Sequence, residues 1–250
     1  ELKKEYVKYL FKSHAFVQLL KTCVIGIREG QNINYELLRK HALPIPPPDE
    51  QQTIVDFIDH KNRKIAEYIA AKEAEIEKLG TLKQTIIQRA VTHGLDPNAP
   101  MKDSKIPWLG DVPEHWTRMR FKDVLTPKDI RVGNNPKYTL LSLTKRGVIV
   151  RDLSEGKGKF PKDFDTYKVV DPDDLILCLF DVDETPRTVG VAQHHGMITG
   201  AYDIFRVKRC NLKYLYYFYL SLDDRKALRP LYKGLRKTIP LPRLLSSHIF

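Results

Sequence analysis

From Asp49 to Thr92 the sequence contains no proline and a single glycine, Gly80. This stretch constrains the chain more than any other. It is bracketed by Pro44-Ile45-Pro46-Pro47-Pro48, which cannot be helical, and by Gly94, which is placed to end a helix. Asp49 with Gln52 three residues on reads as an N-cap and capping-box partner. A strict 4-3 spacing then gives the seam Ile58, Asn62, Ile65, Ile69, Lys72, Ile76, Leu79, Lys83, Ile86 and Ala90, apolar at seven of ten positions. A period of 3.5 held over several heptads predicts one long coiled-coil-type helix. About 40 residues at 1.5 Å each span on the order of 60 Å. An apolar stripe of that length must be covered, and the sequence offers one such helix, so the expected cover is a helix of another chain, with Asn62 and Lys83 setting register.

The 42% hydrophobic and 29% charged residues describe a globular chain. No apolar run approaches the roughly 18–20 residues of a membrane span. The N-terminus has no signal-like apolar core and no initiating Met, so the chain reads as a piece of something longer. Cys23, Cys178 and Cys210 are odd in number and widely spaced. They argue against disulfides and Cys-based zinc, and for a cytoplasmic location.

The net charge is +11. Residues 1–48 hold eight basic and four acidic side chains, residues 49–93 seven and eight, residues 94–120 four of each, and residues 121–250 twenty-three and fifteen. Two basic segments therefore flank a neutral spacer, and a strongly basic balance argues for a polyanionic partner, most often nucleic acid.

The flanks also resemble one another. Residues 6–28 align with 214–236, matching Tyr6 with Tyr214, Tyr9 with Tyr217, Ser13 with Ser221, Gly26 with Gly234 and Arg28 with Arg236. After one gap, Leu37-Leu38 aligns with Leu244-Leu245 and His41 with His248. The expected division is residues 1–48 as the tail of a first domain, 49–93 as the spacer helix, 94–120 as a linker and 121–250 as a second domain. The linker contains Trp108 and Trp116, which suggest a clasp across a domain surface. The second domain reads as α+β with antiparallel pairing: strands within Tyr138–Val150 around an Arg146-Gly147 turn, Leu175–Phe180 after an Asp171–Asp174 turn, Val189–Ala192 and Ala201–Val207, then a Tyr-rich helix over Leu212–Leu222.

The blocks Leu43–Gln52, the heptad helix, Ala90–Pro97 and Trp108–Trp116 together resemble the central conserved region of the specificity (S, or HsdS) subunit of type I restriction–modification systems. The flanks, including Asp174-Leu175-Ile176 and Gly196–Tyr202, are similar to its target-recognition domains. The resemblance implies two target-recognition domains joined by two antiparallel helices, each domain reading half of a split DNA site and the helices acting as a ruler. It implies a subunit without catalytic residues and without a cofactor of its own. Partner modification subunits would bring S-adenosylmethionine for adenine methylation, and restriction subunits ATP and Mg2+. This sequence matches one helix, one whole domain and the tail of another, so a homodimer through the helix is the expected way to complete a bipartite target. A seam of about 60 Å covers on the order of 18 base pairs at 3.4 Å each.

Four loops of the second domain are candidates for DNA: Lys128–Lys137 with Arg131, Asn134 and Asn135; Arg151–Lys162 with Lys157 and Lys159; Asp181–Thr188 with Arg187 and Thr188; and Tyr232–Thr238 with Lys233, Arg236 and Lys237. Arg146 and, in the first copy, Arg28 join them. Arg suits bidentate contact to guanine, Asn suits adenine, and Lys mostly serves phosphates. For each residue a solvated surface charge is the competing reading. Tyr214, Tyr216, Tyr217 and Tyr219 read as packing residues rather than base-stacking ones. His194-His195 with Asp181, Asp183 and Glu184 lacks metal-ligand spacing, and there is no phosphate-cradling glycine loop or GxSxG, so an enzyme is the least supported class. Two alternatives stay open: a coiled-coil module whose basic domains bind an acidic protein, and an inactive truncated S fragment.

Overall fold

The computed structural model describes residues 1–26, 31–106, 108–133, 138–151 and 164–249. Candidates Arg28, Asn134, Asn135, Lys157 and Lys159 lie outside them. The chain forms two compact units, Glu1–Leu79 and Gly80–Phe250. The expected division at residues 48, 93 and 120 is thus joined by a boundary within the long helix itself.

In the first unit, α1 (Lys4–Lys12) and α2 (His14–Thr22) are separated by Ser13, whose extended backbone breaks the helix and whose hydroxyl accepts from the Phe16 N–H at 3.2 Å. A short antiparallel pair follows, β1 (Val24–Ile25) with β2 (Asn32–Ile33). Asn34 caps α3 (Tyr35–Leu38) by accepting from Glu36 and Leu37 N–H. The proline run leads into α4 (Pro48–His93). The start of α4 differs from the sequence expectation. Pro48 occupies the first helical position, and the first helical bond is donated by Gln51 N–H to the Pro47 carbonyl at 2.9 Å. Asp49 therefore sits inside the first turn, where its charge favours the helix N-terminus, and the Gln52 amide donates to Asp56 instead of closing a capping box. Gln51 is fully buried. It accepts from Lys3 N–H at 2.8 Å and donates to the Glu1 and Pro46 carbonyls. Tyr6 reaches the Pro44 carbonyl, and Tyr9 donates to Asp59. The small apolar core of this unit is Tyr6, Phe16, Cys23 and Val55.

In the second unit, α4 ends at His93 and Gly94 leaves it with φ +77°, a conformation that favours glycine. The elements that follow are β3 (Met101–Asp103), β4 (Asp111–Pro113), β5 (Met119–Arg120), α5 (Phe121–Val124), β6 (Leu125–Lys128), β7 (Leu141–Thr144), β8 (Gly147–Val150), β9 (Lys168–Val170), β10 (Leu175–Leu177), β11 (Val189–Val191), β12 (Gly196–Ile198), β13 (Asp203–Val207), α6 (Leu212–Asp224), a 3-10 turn (Arg229–Leu231), α7 (Leu241–Ser246) and β14 (His248–Ile249). Among the described residues the largest sheet is antiparallel, in the order β11-β10-β13-β6. Smaller antiparallel pairs are β3 with β4, β5 with β14, β7 with β8 and β9 with β12.

The central sheet is buried on both faces. Leu175, Leu177 and Phe205 join the main core with Phe121, Phe218 and Leu222, while Ile176 and Ile204 point the other way, against Leu141, Val170 and Ile198. Alternation along a strand accounts for this split. Gly190 lets the β7–β8 hairpin lie close: a Cβ there would stand 2.6 Å from Leu143 Cδ1 and 2.7 Å from Val148 Cγ2. Trp108 packs edge-on against Phe218, and Trp116 edge-on against Tyr214, so both tryptophans fasten the linker to α6. Tyr214 also donates to the Val91 carbonyl at 3.3 Å, and burial pushes its phenol up. Tyr219 is fully buried and Tyr217 is exposed.

Candidate nucleic-acid interface

The third and fourth candidate loops form one structure. Asp181 N–H donates to the Arg236 carbonyl at 2.9 Å, and Ile239 N–H to the Leu179 carbonyl at 2.7 Å. Residues 233–238 make a hairpin: Lys233 and Thr238 exchange both backbone bonds, and Lys237 N–H donates to the Gly234 carbonyl at 3.1 Å. Gly234 has φ +72°. Gly26, its match in the first copy, has φ +98°, just past the β1 strand. Ser13 and Ser221, in contrast, are not equivalent: Ser13 separates two helices, whereas Ser221 lies inside α6.

Charge within this loop pair is partly spent internally. Asp183 holds Lys237 at 3.0 Å and Arg229 at 3.3 Å, and those cations, Lys237 first, keep its carboxyl below the usual range. Lys226 donates to the Val182 and Thr185 carbonyls and to Asp223, so the 181–188 loop is braced from the turn just after α6. Lys233 and Arg236 are exposed and have no carboxylate partner among the described residues.

The other candidates fare differently. Arg187 pairs with Asp224 at 3.2 Å and is about four-fifths buried. Thr188 does not qualify as a DNA contact: it is 1% exposed, its N–H donates to Asp223 and its carbonyl accepts from Cys178. Strand pairing at the start of β11 pulls it into the core. Arg131 donates to the Thr166 carbonyl at 2.8 Å and sits 3.3 Å from Asp129, with half of its side chain exposed. Arg146 is exposed in the β7–β8 turn.

Sequence reasoning missed a charged knot on the β6–β13 side. Buried Asp174 lies 2.6 Å from Lys128 Nζ and 2.8 Å from Arg206 Nε. Asp171 is held by Lys128, His195 and Arg206, and Lys128 first, then His195, depress its pKa to about 2. The Asp171–Asp174 turn was the available signal, but its partners are up to 46 residues away. His195 is thus committed to Asp171, and Asp183 to Arg229 and Lys237; among the described residues no three His, Cys, Asp or Glu side chains gather as a metal site would need.

Along α4, Ile58 is half-buried, and Asn62, Ile65, Ile69, Ile76, Leu79 and Ile86 are exposed. Asn62 donates to the Tyr9 hydroxyl at 3.5 Å. Among the described residues no helix is long and apolar enough to cross a membrane.

No protein-family model matches the chain. Among solved structures, the HsdS subunit from Thermoanaerobacter tengcongensis aligns over 99% of this chain and 58% of its own, with a TM-score of 0.51 and 16% identity. A structure concerned with complex assembly and conformational transition of the type I R-M system aligns over 82% and 48%, with 0.42 and 15%. The type I restriction–modification S subunit from M. genitalium aligns over 100% and 61%, with 0.37 and 12%. The chain thus spans less than two thirds of each of these proteins. With its long helix and small antiparallel sheets, the chain has the fold of an HsdS subunit of the type I restriction–modification system.

Proposed function

We propose that this chain is a non-catalytic DNA-recognition subunit that reads a half-site of double-stranded DNA and docks adenine-methyltransferase subunits. The observation that carries the reading is the braced hairpin at 233–238. It projects Lys233 and Arg236, without a carboxylate partner among the described residues, from the more basic of the two flanks, and such groups serve phosphates and base edges. The HsdS-like fold supports it. Modification and restriction subunits would then carry S-adenosylmethionine, ATP and Mg2+.

The exposed seam of α4 supports a second function for the helix. Ile65, Ile69, Ile76, Leu79 and Ile86 are spaced as a coiled-coil stripe and stand in solvent. We assign their cover to a second copy of the chain, so that two half-sites are read at a fixed separation.

The test is co-expression with a cognate modification subunit in a host lacking adenine methylation, followed by mapping of methyladenine. An interrupted palindromic motif is the expected result. A complex that forms but methylates nothing would overturn DNA reading. It would favour the coiled-coil interaction module, which the exposed seam also suits.

A further inference from the structure

The tip of the 233–238 hairpin is apolar. Leu235 is fully exposed, at 103% of its reference area, and is the most exposed large hydrophobic side chain among the described residues. It is a corner residue of the turn that Lys237 N–H closes on the Gly234 carbonyl. A corner in a polar loop has no folding reason to carry a leucine, because burial stabilises apolar side chains and this one buries nothing. Single exposed apolar residues are common on protein surfaces, but this one is singular in three respects. The turn that presents it is held on both sides, by the Lys233–Thr238 bonds within the hairpin and by the Asp181–Arg236 and Leu179–Ile239 bonds to the neighbouring loop. Cations surround it: Lys233 and Arg236 have no carboxylate partner among the described residues, and Lys237 is anchored on Asp183. The aligned first copy reads Gly26-Ile27-Arg28 against Gly234-Leu235-Arg236, with an aliphatic residue between the same glycine and arginine.

We propose that Leu235 is a wedge that enters the base stack of the half-site, with Lys233 and Arg236 on the flanking backbone and base edges. Leucine is among the side chains that proteins insert between base steps, partly unstacking them. A wedge must be presented rigidly, or the ordering of its loop would consume the binding free energy; the braced turn meets that requirement. The cations would hold the duplex against the tip while the leucine displaces stacking. An apolar tip for a protein groove is the competing use. The cations to either side and the repeat of the Gly–aliphatic–Arg triplet beside basic flanks favour the nucleic acid.

The inference rests on the DNA-reading proposal, and the experiment separates the two. The motif is first mapped by methylation with the wild-type chain. The complex with the modification subunit then binds duplexes carrying that motif, with 2-aminopurine placed at each half-site position in turn. Methyltransferases extrude their target base, so the target adenine position brightens on its own account and reports productive binding. The wedge adds a second bright position. Leu235→Ala is expected to abolish the second signal, keep the first, weaken binding by about tenfold and leave the salt dependence unchanged, because no phosphate contact is lost. Leu235→Met is expected to restore the second signal. Failure of the wild-type complex to brighten any position besides the target, or its persistence in Leu235→Ala, would overturn the wedge while DNA reading stands. Loss of the modification subunit from the Leu235→Ala complex would identify the tip as a protein contact and overturn it too. Absence of any methylated motif would remove both proposals together.

Discussion

Lys128 Nζ lies 2.6 Å from Asp174 Oδ2, and the aspartate is fully buried. Asp174 also accepts from the Asp171 N–H at 2.8 Å. A carboxylate taken out of water survives only with such partners, and removing one leaves an uncompensated charge. Lys128→Ala is expected to cost about 3–5 kcal/mol of stability. Urea unfolding of the purified chain measures it; a loss below about 1 kcal/mol would mean that Arg206 alone satisfies the carboxylate.

Asp171 gives this knot an acid limit. Its folded pKa is about 2 against an ordinary value of 3.8. A depressed carboxylate stabilises the fold fully above its unfolded pKa and loses that contribution as pH falls through the folded one. Stability should therefore drop between about pH 4 and pH 2. Asp171→Asn should flatten that limb of a thermal-melt series taken against pH.

Arg236 and Arg187 should separate cleanly. Arg236 has no carboxylate partner among the described residues, so Arg236→Ala is expected to weaken binding to the mapped motif by about 1–3 kcal/mol and relax one base position. Arg187 is held by Asp224, so Arg187→Ala should change binding little. Equal effects in titrations of labelled duplex at fixed salt would contradict the assignment.

The α4 seam predicts self-association. Ile69 and Ile76 are 50% and 69% exposed, so charged residues there disturb no intrachain packing. The Ile69→Lys/Ile76→Lys variant should sediment as a monomer while retaining its helical circular dichroism, and the wild-type chain should sediment as a dimer. A monomeric wild-type chain at micromolar concentration would leave the seam to another kind of helix.

Legibility tracked the range of the interactions. The long helix, the Gly94 stop and the Tyr-rich helix all follow from patterns within a few residues, and each stands where the sequence places it, whereas the turn expected at Arg146-Gly147 lies one residue earlier, at Lys145-Arg146, with Gly147 opening the next strand. The start of α4 was misplaced because a proline at the first helical position competes with the Asp49 cap, and the local pattern does not decide between them. Strands such as β9 and β12 span three residues, too short for alternation to show. Among the described residues, the candidate segments 181–188 and 232–238 were legible as loops. Which of their cations are free was not, because the carboxylates that neutralise Arg187 and Lys237 lie 37 and 54 residues away.

The hairpin at 233–238 is fixed to its surroundings chiefly by main-chain bonds. A carbonyl at position 236 and an amide at position 239 are supplied by almost any amino acid. Positions 235 and 236 can therefore exchange side chains while the frame that aims them stays put. On the proposed reading, a chain built this way would acquire a new target by substitution at two positions, without having to relearn how to fold.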